Sequence, residues 1–198
     1  MHEEENNKKK FIEIIPYQSR WQAEFKLIGS ILRQGLGSLA LRIDHIGYTA
    51  VQGLAAKDII DIQVTVITLN QECQVAMQAL GFRQVEEVQR DHIPPLVGCD
   101  EIEWEKWYFK SPVDQRKSHT HMRVQGRANQ RYPLLFRDYL RTHAATAKAY
   151  AELKRQLAQN LADLETYSDV KDPVVDLIYL AAEEWATATH WEPGPSDV

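Results

Sequence analysis

The sequence predicts a mixed α/β fold: a β-sheet flanked by helices, followed by a helical C-terminal segment. Three observations carry this. Short apolar runs broken by Gly, Pro, Asn and Asp fill the chain to about residue 125. Helical periodicity takes over after Arg131 and continues to the end. The 198 residues, 44% of them hydrophobic, suffice for one substantial core, so one domain is expected. Residues 1–10 read as a charged tail and 11–198 as a single domain, sheet-containing to about 130 and helical over 131–198.

FIEIIPY (11–17) suits a short first strand that Pro16 closes, because proline brings no ladder donor. At SRWQ a helix opens, with Ser19 as N-cap and Gln22 completing a capping box. Trp21, Phe25, Ile28 and Leu32 then recur at steps of three and four as a core-facing stripe, and Gly35 and Gly37 end the helix. Leu39–Ile46 and Ile59–Ile67 read as partner strands covered by helices on at least one face. Asn70–Leu80 is a helix closed by Gly81. FRQVEEVQ (82–89) and WEKWYFKS (104–111) read as strands around a loop with Pro94, Pro95 and Gly98, and HTHMRVQ (119–125) as a further strand. Leu153, Leu157, Leu161 and Leu164 line one face of the following helix. Val174–Ala188 forms the last one, with Pro173 near its first turn, where a missing N–H is harmless.

The composition excludes several classes. No apolar run is long enough to span a membrane, and MHEEENNKKKF lacks the apolar stretch of a signal peptide. Cys73 and Cys99 lack CxxC spacing, so a disulfide framework is not expected and a reducing cytoplasm fits. The net charge of −5 is unevenly spread: residues 110–155 hold 11 Lys/Arg against 3 Asp/Glu, and 156–198 hold 1 against 9. The basic segment either attracts phosphates or pairs with the acidic C-terminus. Nucleic acid is a further possible partner of this segment, though no nucleic-acid module appears. The oligomeric state is not legible.

The chemistry concentrates in DHIGYTAVQGLAAKDIIDIQVTV, residues 44–66. A glycine after a strand lets backbone approach a phosphate without a Cβ in the way. Loop N–H groups can bind phosphate oxygens, and Lys57 is placed to meet one. Asp61 and Gln63, at i and i+2 on a strand, share a face. Two carboxylates there would hold Mg²⁺, but glutamine offers only a carbonyl oxygen. His119 and His121 also share a face, which suits a metal, an anion or a plain sheet contact; Arg123 extends that face toward phosphate. Arg137 and Arg141, one helical turn apart, form either a phosphate clamp or a salt-bridged face. Trp104, Trp107, Tyr108 and Phe109 can stack a base, but in a strand they more often serve core and sheet.

His45, Gly47, Thr49, Ala50, Val51, Gly53, Leu54, Ala55, Ala56, Lys57 and Asp61 together resemble the signature of the GrpB-like family, placed in the nucleotidyltransferase superfamily. HTHMRV and LLFRDYLRTHAATAKAYAELKRQLA extend the resemblance over nearly the whole chain after the tail. It implies a nucleotidyltransferase-like sheet, a nucleotide or coenzyme-like phosphate ligand, and Mg²⁺ as cofactor; some relatives are fused to dephospho-coenzyme A kinase. Asp61 would be the catalytic carboxylate and, with Gln63, His119 and His121, a metal position. Gly47, Tyr48, Thr49, Lys57, Arg123, Arg137 and Arg141 would meet the phosphate-bearing ligand. The sequence departs from the signature at Tyr48 (serine in the family), at Gln63 (a carboxylate), and at Gln52 and Asp58 (prolines). Three readings follow: a Mg²⁺-dependent transferase, which a second carboxylate from Glu103 or Glu105 would restore; a non-catalytic nucleotide binder; and an accessory domain supporting a kinase of coenzyme A biosynthesis.

Overall fold

The computed structural model describes residues 13–95, 100–161 and 164–198. The charged tail expected over residues 1–10, and Gly98 and Cys99, lie outside the described residues. Helices α1 (Arg20–Leu36) and α2 (Gln71–Ala79) pack with five strands: β1 (Arg42–Ile46), β2 (Ile60–Val66), β3 (Arg83–Gln84), β4 (Trp107–Lys110) and β5 (Ser118–Val124). Helices α3 (Ala128–Thr142), α4 (Ala144–Asn160) and α5 (Leu164–Thr189) follow. The sheet order is β1-β2-β5-β4-β3, with β2 and β5 parallel and the other neighbours antiparallel, so the sheet is mixed as expected.

Period-two alternation divides the two faces of this sheet. Ile60, Ile62, Val64 and Val66 of β2 join Trp21, Phe25 and Leu32 of α1 and Met77 of α2 in one core. Their intervening neighbours, Asp61, Gln63 and Thr65, lie in register with His119, His121 and Arg123 of β5. One face is therefore largely apolar and covered by α1 and α2, while the other carries Asp61, His119, His121 and Arg123. The C-terminal helices build a second core from Leu135 and Leu140 of α3, Tyr150 of α4 and Ala182 of α5, which also takes in Val51, Leu54 and Ala55 of the loop after β1.

Several expected details differ. Of FIEIIPY, residues 11 and 12 lie outside the described residues; among the described ones, Ile15 makes an isolated bridge to Ala56. Ser19 has helical backbone angles and no side-chain cap bond, so the capping box is absent; Gly35 lies inside α1, and Gly37 at φ 52° ends it. FRQVEEVQ contributes only the two residues of β3. Trp104 sits in a 3-10 turn ahead of β4, and both it and Phe109 are core residues rather than stacking platforms. The last helix begins at Leu164, with Pro173 in its interior rather than near its start. The buried face of α4 is Ala147, Tyr150, Ala151 and Lys154, whereas Leu153 and Leu157 lie half-buried beside it. Helix α4 ends at Asn160, so the four leucines do not belong to one helix.

The basic segment turns inward. Arg131 and Arg137 pair with Glu183 and Asp197 of the acidic C-terminal stretch. Arg116, Arg123 and Arg127 pair instead with Glu24 and Asp58, Asp91, and Glu105. No helix among the described residues is long and apolar enough to cross a membrane.

Candidate functional site

The turn between β1 and β2 organises the site. Gly47 adopts φ 68°, and a Cβ there would lie 2.5 Å from Asp61 Oδ2, so glycine is required both by its backbone and by the closeness of the carboxylate. Tyr48, Thr49 and Ala50 make a single 3-10 turn. The Tyr48 ring leaves the sheet for the helical layer, where its hydroxyl lies 2.6 Å from that of Tyr150. Asp58 anchors the end of the loop: it accepts from Trp21 Nε1 at 2.7 Å and pairs with Arg20 and Arg116.

A cavity of about 240 Å³ opens beneath this turn. Gly47 backs onto it through Asp61, while Tyr48, Thr49, Lys57, Asp61 and His119 line it. Lys154, Tyr167 and Lys171, which sequence reasoning missed, complete it. Lys57 lies over the Tyr167 ring at 4.7 Å. Burial, then the neighbouring Lys171, holds its ammonium below the ordinary value. Lys154 is 1% exposed, donates to Ala55 O at 2.6 Å and stands 3.8 Å over the Tyr48 ring. Burial, followed by Lys171, Arg155 and Lys57, pushes it down to about 7. Burial also acts to lower Lys171, but Tyr48 and the Asp172 carboxylate leave it raised. The signal for Lys154 was present in the sequence: Ala147, Tyr150, Ala151 and Lys154 follow the spacing of a buried helix face.

The remaining candidates are placed elsewhere or engaged. His119 Nδ1 lies 3.4 Å from Asp61 Oδ1, and the rings of His119 and His121 both flank Tyr108. Burial, then Arg123 and Lys106, holds His121 well below its ordinary value. Arg123 is buried between Asp91, which it meets at 2.8 and 2.9 Å, and Gln63 Oε1 at 2.8 Å; it does not line the cavity beside Asp61. Asp91 is held well below the usual carboxylate range: burial opposes this, but Arg123 and Lys106 outweigh it. Gln63 is fully buried, its oxygen taken by Arg123 and its amide donated to Gln130 O at 2.9 Å, so it cannot turn toward a metal. Glu103 accepts the Ala128 N–H and Glu105 pairs with Arg127, so neither joins Asp61. Arg137 and Arg141 do not form a second wall for this cavity. They line a larger one, with Thr49 shared between the two.

The donor set does not fit the Mg²⁺ expected from the resemblance of the sequence. Such an ion wants several oxygen ligands, preferably carboxylates. Asp61 is a single carboxylate flanked by three lysines and a histidine. Among the described residues, no three His, Cys, Asp or Glu side chains are placed to hold a metal.

The GrpB protein family profile matches residues 11–180. The chain belongs to the GrpB family. A crystal structure of conserved protein GrpB from Enterococcus faecalis superposes with TM-score 0.69 and 28% identity, covering 91% of this chain and all (100%) of that one. A dephospho-CoA kinase of Mycolicibacterium paratuberculosis is 32% identical over 92% of this chain and 48% of its own length. The chain thus spans about half the length of the curated relatives it first matches. A looser likeness of fold alone, TM-score 0.47 at 14% identity over 73% of this chain and 42% of the other, runs to Cid1 in complex with its short product ApU.

Proposed function

We propose that this GrpB protein binds the phosphate end of a nucleotide or coenzyme-like molecule in the cavity beside Asp61. The observation that carries this reading is the convergence of Lys57, Lys154 and Lys171 on one small cavity under a glycine turn. Lysine side chains are strong partners for phosphate oxygens as ammonium groups, and a bound phosphate would favour the protonated form of Lys154. The volume of about 240 Å³ is below that of a typical whole-ligand pocket, roughly 300–1,000 Å³, so the phosphates enter and the rest of the ligand stays outside. Nucleotidyl transfer through Mg²⁺ is not part of this reading, because one carboxylate cannot do the work of two.

A second reading is favoured by one observation: a relative named dephospho-CoA kinase carries the matching stretch in about half of its length. This chain would then act as an accessory domain to a kinase of coenzyme A biosynthesis. Ligand-observed NMR with ATP, UTP, coenzyme A and dephospho-coenzyme A, at low and high salt, separates the two. We expect weak binding that fades with salt, since charge pairs are screened over about 10 Å at 0.1 M. Lys57→Ala should reduce it by about tenfold or less, the scale of one charge-assisted hydrogen bond. Absence of binding at low salt, or binding indifferent to Lys57, puts the accessory reading ahead.

A further inference from the structure

The larger cavity, about 910 Å³, lies between α1, the end of β1, α3 and the closing segment 194–197. At one end two donors converge on a single oxygen: the Arg137 guanidinium and the His45 backbone N–H each lie 2.9 Å from Asp197 Oδ2. Arg137 is 4% exposed and is fixed in place by His45 O at 3.0 Å and Asp138 at 2.7 Å. Arg141 follows one turn on, and Lys26 lines the same cavity. The local field is positive: burial, then Arg141 and Arg137, pushes the His45 imidazole down to about 3. Without Asp197, three cationic side chains in the lining face the single carboxylate of Asp138.

The group that fills this anion hole sits on a thin strap. Segment 194–198 runs along the edge of β1, held through Ser196 Oγ, which accepts from Ile43 N at 2.9 Å and donates to Ile43 O at 3.1 Å, through Val198 N, which donates to Ile43 O at 3.2 Å, and through Arg33, which donates to Val198 O at 2.9 Å, while the Val198 side chain packs on the core. The Asp197 side chain itself is 30% exposed, so it can swing out of the hole while the strap stays in place. We propose that this cavity is a second anion-binding site, occupied at its arginine end by Asp197, which exchanges with a small carboxylate- or phosphate-bearing molecule. Its volume lies within the range of drug-sized ligand pockets, roughly 300–1,000 Å³. The strap is then a built-in competitor: the ligand binds only the fraction of molecules in which Asp197 has left.

Asp197→Ala, in the full chain, empties the hole. Inorganic phosphate and malonate serve as probes, with affinity read by titration and the site by amide hydrogen exchange at His45. The variant should bind at least one probe about tenfold more tightly than the wild type, the scale of removing one charge-assisted competitor. Its His45 amide should lose protection and regain it when the anion is added. Asp197→Asn, which keeps the shape and a neutral acceptor, should give an intermediate gain and carries the test if the alanine variant is unstable. Tighter phosphate binding assigns a phosphate-bearing ligand and tighter malonate binding a carboxylate; both uphold the site. The proposal is overturned if neither variant binds either anion more tightly than the wild type, or if the anion leaves His45 exchange unchanged. Lys57, Lys154 and Lys171 do not line this cavity, so the outcome is independent of the phosphate reading.

Discussion

Lys154→Met replaces a buried ammonium with an apolar side chain of similar length. In the wild type, Lys154 is 1% exposed and its ammonium falls from an ordinary 10.5 to about 7, chiefly through burial. That difference amounts to a cost on the order of 5 kcal/mol for keeping the charge inside. The sign of the pH dependence follows from which state holds the proton. Between about pH 7 and pH 10.5 the unfolded chain keeps a proton on Lys154 that the folded chain has released, so wild-type stability rises with pH across this window. Below it, both states are charged and the full cost is present. The rise is about 1.4 kcal/mol per pH unit, or roughly 2–3 kcal/mol between pH 7.5 and 9.5. The methionine variant lacks this contribution, so its stability relative to wild type should fall by that amount over the same interval. Loss of the bond to Ala55 O shifts the variant by about 1–3 kcal/mol at every pH, which leaves the slope untouched. Urea unfolding of both proteins at several pH values measures it. Stability curves that stay parallel from pH 7.5 to 9.5 would refute the assignment of Lys154 as a buried, near-neutral amine.

Two further substitutions probe the signature residues. Gln63→Asp places a carboxylate against Gln130 O and removes the amide donor now bonded to it, so it should destabilise the fold by roughly 1–3 kcal/mol. Calorimetry should find no gain in Mg²⁺ or Mn²⁺ affinity for this variant, and a tenfold gain would show that position 63 can face a metal after all. Gly47→Ala puts a Cβ 2.5 Å from Asp61 Oδ2 at φ 68° and should cost about 2–3 kcal/mol in thermal or urea unfolding. A near-neutral effect would mean the turn is looser than the structure indicates.

The sequence by itself determined the elements whose periodicity answers to one dominant surface. The α1 stripe of Trp21, Phe25, Ile28 and Leu32 is buried, because a helix against a sheet needs one apolar face. The strands around Asp61 and His119 were legible for the same reason, and so was the lasting change to helix near Arg131. Elements that depend on a distant partner were not. FIEIIPY has strand-like residues, yet among its described ones Ile15 makes an isolated bridge to Ala56, and FRQVEEVQ keeps only two residues in the sheet.

The candidate site divides along the same line. Lys57, Asp61, Thr49 and His119 were legible because they lie on the signature loop and on two parallel strands whose register places them together. The roles of the cations were decided by tertiary structure alone. Arg123, Arg137 and Lys154 look alike in sequence, as single charges within amphipathic stretches. Arg123 is neutralised by Asp91 and Gln63, Arg137 is committed to Asp197 and His45 O, and Lys154 is left beside a cavity with no carboxylate bonded to it among the described residues. Whether a cation serves a ligand or the fold depends on which acceptor reaches it first across 32 to 99 residues of intervening chain. That choice is made by packing, because a buried charge is stable only where a partner already stands.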